Sequence, residues 1–148
     1  MAKEIKEMRI AVTGAASGIG SVIANELSTL GARVAICDKD AERLQAFAAD
    51  HENIFASVGN VSNETDVIDF FSGVEAKLGG LDALINNAGI AGPITNLEKF
   101  NFTDWQETIS VNLNGTFLCS KEAIPMLRAS GGGSVSYTHL TLPTILLV

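Results

Sequence analysis

The sequence predicts a three-layer α/β/α sandwich on a doubly wound parallel sheet, truncated after about its fifth strand. Three observations predict it. Short apolar runs without polar alternation mark strands covered on both faces. Segments of helical periodicity separate those runs, which makes the connections right-handed crossovers and the strands parallel. The length of 148 residues, with 47% hydrophobic and 18% charged residues, suits one domain with a real core.

The elements follow in order. Arg9-Ile10-Ala11-Val12-Thr13 is the first apolar strand. Ile19, Val22, Ile23, Leu27 and Leu30 then repeat at helical spacing, and Gly31 stands where a helix-ending glycine belongs. Arg33-Val34-Ala35-Ile36-Cys37 is the second strand, and Asp40 is placed to cap a helix over Ala41–Ala49. A third strand is expected over Asn53–Val58. Val67, Phe70, Phe71, Val74 and Leu78 mark the next helix, which Gly79-Gly80 ends. Leu81–Ile85 is the fourth strand. Thr103-Asp104-Trp105-Gln106 has the form of a capping box and predicts a long helix toward Arg128, weakened at Gly115 and bent or interrupted at Pro125. Gly131-Gly132-Gly133 closes that unit.

Charge and cysteine content narrow the function classes. Ten Lys and Arg against 17 Asp and Glu give a net charge of −7. A nucleic-acid binder needs a basic face for phosphates, and no run of Lys or Arg makes one. Met1–Met8 does not resemble a signal peptide, and Ile145–Val148 is too short to cross a bilayer. The expected surroundings are therefore the reducing cytoplasm, with no membrane partner. Cys37 and Cys119 fit no metal spacing and read as small buried hydrophobes. Asp38, Asp40 and Glu42 read as a ribose site plus a helix start and not as a metal site, because such short spacing suits capping. His51 reads as a solvated residue, and Trp105 and Phe117 as core or interface residues.

The segment Thr13-Gly14-Ala15-Ala16-Ser17-Gly18-Ile19-Gly20 joins the first strand to the first helix. Gly14 allows a tight turn, Gly18 lets the backbone approach a pyrophosphate, and Gly20 permits close packing. The helix N-terminus behind them offers free N–H groups and a positive dipole end to phosphates. Asp38 ends the second strand 18 residues after Gly20, where a carboxylate meets the adenosine ribose hydroxyls. The same charge repels the extra phosphate of NADP, so NAD is expected over NADP. The plainer alternative is that Asp38 only opens a turn with Lys39 and Asp40.

Thr13 to Gly20 resembles the Thr-Gly-x-x-x-Gly-x-Gly motif of the short-chain dehydrogenase/reductase family. Asn86-Asn87-Ala88-Gly89 after the fourth strand resembles a second family marker, and Ser110-Val111-Asn112-Leu113 a third. The resemblance runs from about Met8 to Ser134 and implies a Rossmann-type fold, an NAD-dependent oxidoreductase and a homo-oligomeric parent, a dimer or tetramer. It implies that Ser17, Gly18, Ile19 and Gly20 line the pyrophosphate and nicotinamide side and Asp38 the adenosine ribose. Asn60 and Val61 would flank the adenine, and many members have Asp at position 60. Asn87, Ala88 and Gly89 would pass the cofactor ribose. Asn112 would hold a water or lysine in a proton relay; a purely structural role for Asn87 and Asn112 is the alternative.

The family moves hydride between nicotinamide and a small alcohol or ketone, with a Tyr exchanging the proton, a Lys four residues later lowering its pKa, and a Ser polarising the oxygen. Here Tyr137 is the only tyrosine, Thr141 stands four residues on, and Lys121 is the last lysine. The family's Ser and Tyr–Lys pair are absent. Residues 1–134 are thus expected to be a partial NAD(P)-binding domain. Residues 135–148 are expected to be a tail of foreign origin, with a divergent natural C-terminus as the alternative. Two functional readings follow. The parent is an oxidoreductase, or the chain as written is a catalytically dead NAD-binding fragment.

Overall fold

The computed structural model describes residues 3–51 and 53–138. Five strands form one parallel sheet in the order β3-β2-β1-β4-β5: β1 Arg9–Thr13, β2 Arg33–Asp38, β3 Ile54–Val58, β4 Ala83–Asn86 and β5 Ser134–Tyr137. Ala11 pairs with Ala35 on one side and Leu84 on the other, so the first strand is central. This is the expected doubly wound arrangement. The first three strands step outward in one direction, and the chain then returns to place β4 on the opposite side of β1.

The helices are α1 Gly18–Thr29, α2 Ala41–Ala49, α3 Glu64–Leu78, α4 Phe102–Ile109 and α5 Gly115–Ala129. They cover the sheet from both sides because the inner strands are apolar in both directions. Ile10, Val12, Val34 and Ile36 pack against Ala24 of α1 and Leu44 of α2. Ala11, Ala35 and Leu84 pack against Phe70, Phe71 and Val74 of α3 and against Cys119, Ala123 and Leu127 of α5. Val12, Val34, Ile36 and Leu84 are wholly shielded from solvent. At about 25 cal/mol per Å2 such side chains each contribute roughly 1.5–3 kcal/mol of transfer free energy.

Asp40 caps α2 as expected, its carboxylate accepting from the Arg43 N–H, and Gly79 ends α3 in the left-handed conformation. The fourth connection differs from expectation. α4 begins at Phe102, and its cap is Asn101, whose Oδ1 accepts from the Asp104 N–H at 2.8 Å. Thr103 lies inside the first turn. Asn caps at least as well as Thr, and a short 3-10 turn at Leu97–Lys99 delivers the chain to Asn101. The long helix is continuous in direction but widens into one π turn over Ser110–Asn114 before α5 begins. α5 passes through Pro125 to Ala129 without interruption, since a proline there forfeits only one ladder bond.

One other expectation is corrected. His51 is half-buried, stacked on Phe47 at 4.6 Å between ring centroids, with Nε2 2.8 Å from Asn25 Oδ1. Its ring fills the gap between the end of α2 and α1. Of the two readings of Trp105 and Phe117, core or interface, their exposures of 47% and 62% leave the second. The fifth strand continues through Tyr137, which pairs with Asn86, so strand geometry extends past Ser134. His139, Thr141 and the rest of 139–148 lie outside the described residues.

The opposite end of the sheet is tied by one carboxylate. Asp82 is 4% exposed and accepts from the Arg9 backbone N–H and Nε, both at 2.9 Å, from Arg9 Nη2 at 3.0 Å and from Lys3 Nζ at 2.6 Å. Arg9 Nη2 also donates to Ser130 Oγ at 2.8 Å. The guanidinium holds the Asp82 carboxyl well below the usual carboxylate range, against the opposing effect of burial.

Candidate functional site

The winding reverses between β1 and β4, and there the loops leaving the two strands part to open a crevice at the strand C-termini. Open α/β sheets place their ligand sites at such a switch point. The cleft encloses about 310 Å3. Its walls include Gly14, Ser17 and Ile19 from the first turn, Asp38 from β2, Asn60 and Val61 from the loop after β3, and Asn87, Ala88 and Gly89 after β4. Nine of the residues expected from sequence therefore converge on one crevice. Gly18 and Gly20 do not line it: Gly18 is exposed and Gly20 is buried.

Each glycine has its own reason. Gly14 has φ +63°, and a Cβ there would stand 2.6 Å from the Ala88 Cα. Gly18 has φ +61° and open space where a side chain would be. The backbone at Gly18 is therefore approachable. A Cβ on buried Gly20 would overlap the Asn87 amide nitrogen and the Gly14 carbonyl. Gly20 thus lets α1 pack onto the turn and the β4 loop together.

The first turn of α1 has no side-chain cap: Ser17 is extended and makes no such bond. Asp40, Asn63 and Asn101 cap α2, α3 and α4 with side-chain oxygens. Among the four helices that begin from a loop, the one that opens at the cleft alone lacks a side-chain cap, which leaves its first N–H groups for an external acceptor.

Asp38 sits at the lip of the cleft. Its Oδ2 accepts from the Ala16 N–H and its Oδ1 from the Asp40 N–H, both at 3.0 Å. A carboxylate accepts about four hydrogen bonds, so two further lone pairs remain. Asp38 therefore holds both the glycine turn and the next turn, and still faces the crevice.

Two side chains organise the centre. Thr13 Oγ1 accepts from the Asn87 and Ala88 N–H groups, each at 3.1 Å, joining the end of β1 to the loop after β4. Asn87 Nδ2 donates back to the Thr13 and Gly14 carbonyls at 3.0 and 2.8 Å. Asn112 lies in the π turn. Its Oδ1 accepts from the Ile90 N–H at 2.8 Å, and its Nδ2 donates to the Ile90 carbonyl at 2.9 Å. It belongs to a second hollow of about 440 Å3, bordered also by Thr108 and Thr138 and sharing Ile19, Asn87, Gly89 and Ile90 with the first. The two hollows thus share one wall.

Several contributors were not legible beforehand. Lys39, Gly59, Ile90 and Val111 also line the cleft, and Thr138 reaches the second hollow through a long-range contact. Cys37 borders the cleft, but burial pushes both its thiol and that of Cys119 up to about 12. They are packing groups. Gly115 is required because a Cβ there would stand 2.7 Å from Val61 Cγ2, so α5 presses directly on the wall formed by Val61. Among the described residues no cluster of His, Cys, Asp and Glu could hold a metal ion, and no helix is long and apolar enough to cross a membrane.

A parallel sheet with a glycine turn and a crevice at its switch point defines a Rossmann-type α/β protein. The comparisons refine that class. The family model described as short chain dehydrogenase matches residues 8–138, and the chain belongs to that family. It is 38% identical over 133 residues to D-threitol dehydrogenase of Mycolicibacterium smegmatis, covering 84% of this chain and 50% of that protein. It is 30% identical over 135 residues to levodione reductase of Leifsonia aquatica, covering 87% and 51%. The crystal structure of 3-ketoacyl-(acyl-carrier-protein) reductase from Brucella melitensis complexed with NADH superposes with a TM-score of 0.82 at 30% identity, over 84% of this chain and 51% of that one. The chain thus spans about half the length of the relatives it matches.

Proposed function

We propose that the cleft holds a nicotinamide dinucleotide, NAD in preference to NADP, and that the parent protein moves hydride between it and a small alcohol or ketone. The observation that carries this reading is Asp38. Its carboxylate ends β2 at the cleft with lone pairs to spare after two backbone bonds. Those lone pairs suit ribose hydroxyls, and the charge opposes a 2′-phosphate. The uncapped start of α1 and the open backbone at Gly18 suit a pyrophosphate. Val61, backed by Gly115, and Asn60 suit the adenine end; Asn87, Ala88 and Gly89 suit the second ribose.

When bound, the cofactor would supply or accept hydride at its nicotinamide ring. The chain's own residues bind and orient it. Asn112 fixes the Ile90 backbone with both ends of its carboxamide and borders the second hollow, a position that suits the role the family resemblance implies, holding a water or lysine of a proton relay. Residues 1–134 then act as the dinucleotide-binding part of an oxidoreductase that associates with copies of itself, in a cytoplasm that suits two unpaired thiols.

A second reading concerns the 148 residues alone. They contain no lysine after Lys121, so no Tyr-x-x-x-Lys pair follows the sheet, and the chain binds the cofactor without turning over substrate. Titrating the purified chain into NADH and NADPH while following nicotinamide fluorescence, with a panel of alcohols alongside, tests both. Saturable NADH binding at least tenfold tighter than NADPH, with no turnover, is expected. Tighter NADPH binding would show that Lys39, beside Asp38 in the cleft wall, outweighs the carboxylate. Turnover would refute the inactivity of the chain.

A further inference from the structure

We propose that Thr138, at the exit of β5, is a positioning residue for the dinucleotide cradle, its hydroxyl locking the Asn87 carboxamide in the orientation that fixes the glycine turn. This rests on the cofactor reading above and takes the domain to run through Thr138, as the family match over residues 8–138 does, and not to stop at Ser134; it adds a link between the sheet edge and the cleft.

The orientation of an Asn amide is decided by its partners. The Thr13 and Gly14 carbonyls can only accept, so they take the two Nδ2 protons, at 3.0 and 2.8 Å. Asn87 Oδ1 must then face a donor, and Thr138 Oγ1 supplies it at 2.9 Å. Thr138 is held in turn by the backbone: its N–H donates to the Asn86 carbonyl at 3.1 Å, one step beyond the Asn86–Tyr137 pair. The hydroxyl is therefore placed by the docking of β5 onto β4. The amide it restrains sits where a Cβ on Gly20 would be, wedged between two glycines of the turn.

Loss of the hydroxyl leaves Oδ1 without its donor in a part-buried site and lets the amide swing. The Gly14 carbonyl then loses its restraint, and the turn loosens where the pyrophosphate is expected. Linkage makes the effect reciprocal: a ligand that orders the turn must also tighten the hold on Thr138.

The experiment uses the full chain, with Thr138→Val to remove the hydroxyl at nearly constant shape and Thr138→Ser to restore it. NADH affinity is read by fluorescence, and amide hydrogen exchange is read at Asn87, Ala88 and Thr138. The valine variant is expected to weaken NADH on the order of fivefold, the net value of one hydrogen bond, and to speed exchange at Asn87 and Ala88. Serine restores both. In the unaltered chain, NADH slows exchange of the Thr138 amide, a result that requires no variant to fold. A valine variant that binds like the parent, or a serine variant that fails to rescue, overturns the proposal. If the unaltered chain binds no NADH, the cofactor reading falls. Exchange at Asn87 and Ala88 then decides the clamp by itself: faster in the valine variant supports it, unchanged overturns it.

Discussion

At the scale of single residues, the same sequence element meets different physical demands at neighbouring positions. Gly14 combines φ +63° with a backbone neighbour at 2.6 Å, so Gly14→Ala strains the turn and pushes the loop carrying Ala88 outward. A loss of about 1–3 kcal/mol is expected in denaturant unfolding, together with loss of NADH binding, and unchanged affinity would sink the cradle. Gly18 has the same sign of φ but open surroundings, so only its conformational preference opposes an added side chain. Asp82 makes the second prediction. Its folded pKa is depressed by Arg9, so its contribution to stability is complete above the unfolded value near 4 and falls away as pH drops toward the folded value. Asp82→Asn should cost about 3–5 kcal/mol near pH 7, because it leaves the Arg9 guanidinium against a neutral partner, and the difference should shrink steadily below pH 4. Urea unfolding of both proteins from pH 7 to pH 3 checks the sign. A penalty independent of pH would mean that shape, and not charge, matters there. What sequence could not convey at this scale is the partner list. Thr13 is visible as a motif residue, but its double acceptance from Asn87 and Ala88 depends on a contact 74 positions away.

At the scale of elements, the strands and the helices flanking the first three of them were legible because their signals are local. Apolar runs such as Val34–Cys37 have one sensible reading, and Asp40 and Gly79 act within a turn of their own position. The long connection after β4 was less legible. Asn101 and Thr103 are both residue types that cap helices, only Thr103-x-x-Gln106 has the box form, and the entry of the chain from Leu97–Lys99 nevertheless selects Asn101. Asn101→Ala should therefore cost about 1 kcal/mol of stability, whereas Thr103→Ala should change it by under roughly 0.5 kcal/mol. Thermal melts of the two variants settle which residue caps. The π turn at Ser110–Asn114 had no local signal at all. One additional residue in a helical turn leaves the apolar spacing nearly intact, and π turns collect where function requires a side chain to be re-aimed. Here the irregularity presents Asn112 to the Ile90 backbone. Gly115 follows at once, small because α5 must reach Val61, and not as a weak point of the helix.

At the scale of the whole molecule, the helices cover both faces of the sheet, and the surfaces that invite association lie elsewhere. Among the described residues β3 and β5 are the edges of the sheet, and β5 contains neither lysine nor proline to discourage a further strand. Val135 packs into the core shared with α3 and α5, whereas Ser134 and Ser136, pointing the other way, are exposed. The connection after β4 adds exposed apolar groups, Phe102 at 71% exposure and Trp105 at 47% around one hollow on α4, and Phe117 at 62% on α5. Clusters of exposed aromatics at that level mark surfaces made to be covered. The net charge of −7 opposes association at low ionic strength, and salt screens it. The isolated chain is therefore expected to self-associate, more so in 0.5 M salt, as measured by light scattering behind a sizing column. A monodisperse monomer with one cooperative melt would contradict this. The two surfaces are separable by substitution, because they fail in different ways. If the helical aromatics drive association, Phe117→Lys yields monomer and Ser136→Pro does not, since the strand edge was never the contact. If the edge drives it, the proline variant yields monomer and the species it removes binds β-sheet dyes. The larger exposed apolar area lies on the helices, so the first outcome is the one expected.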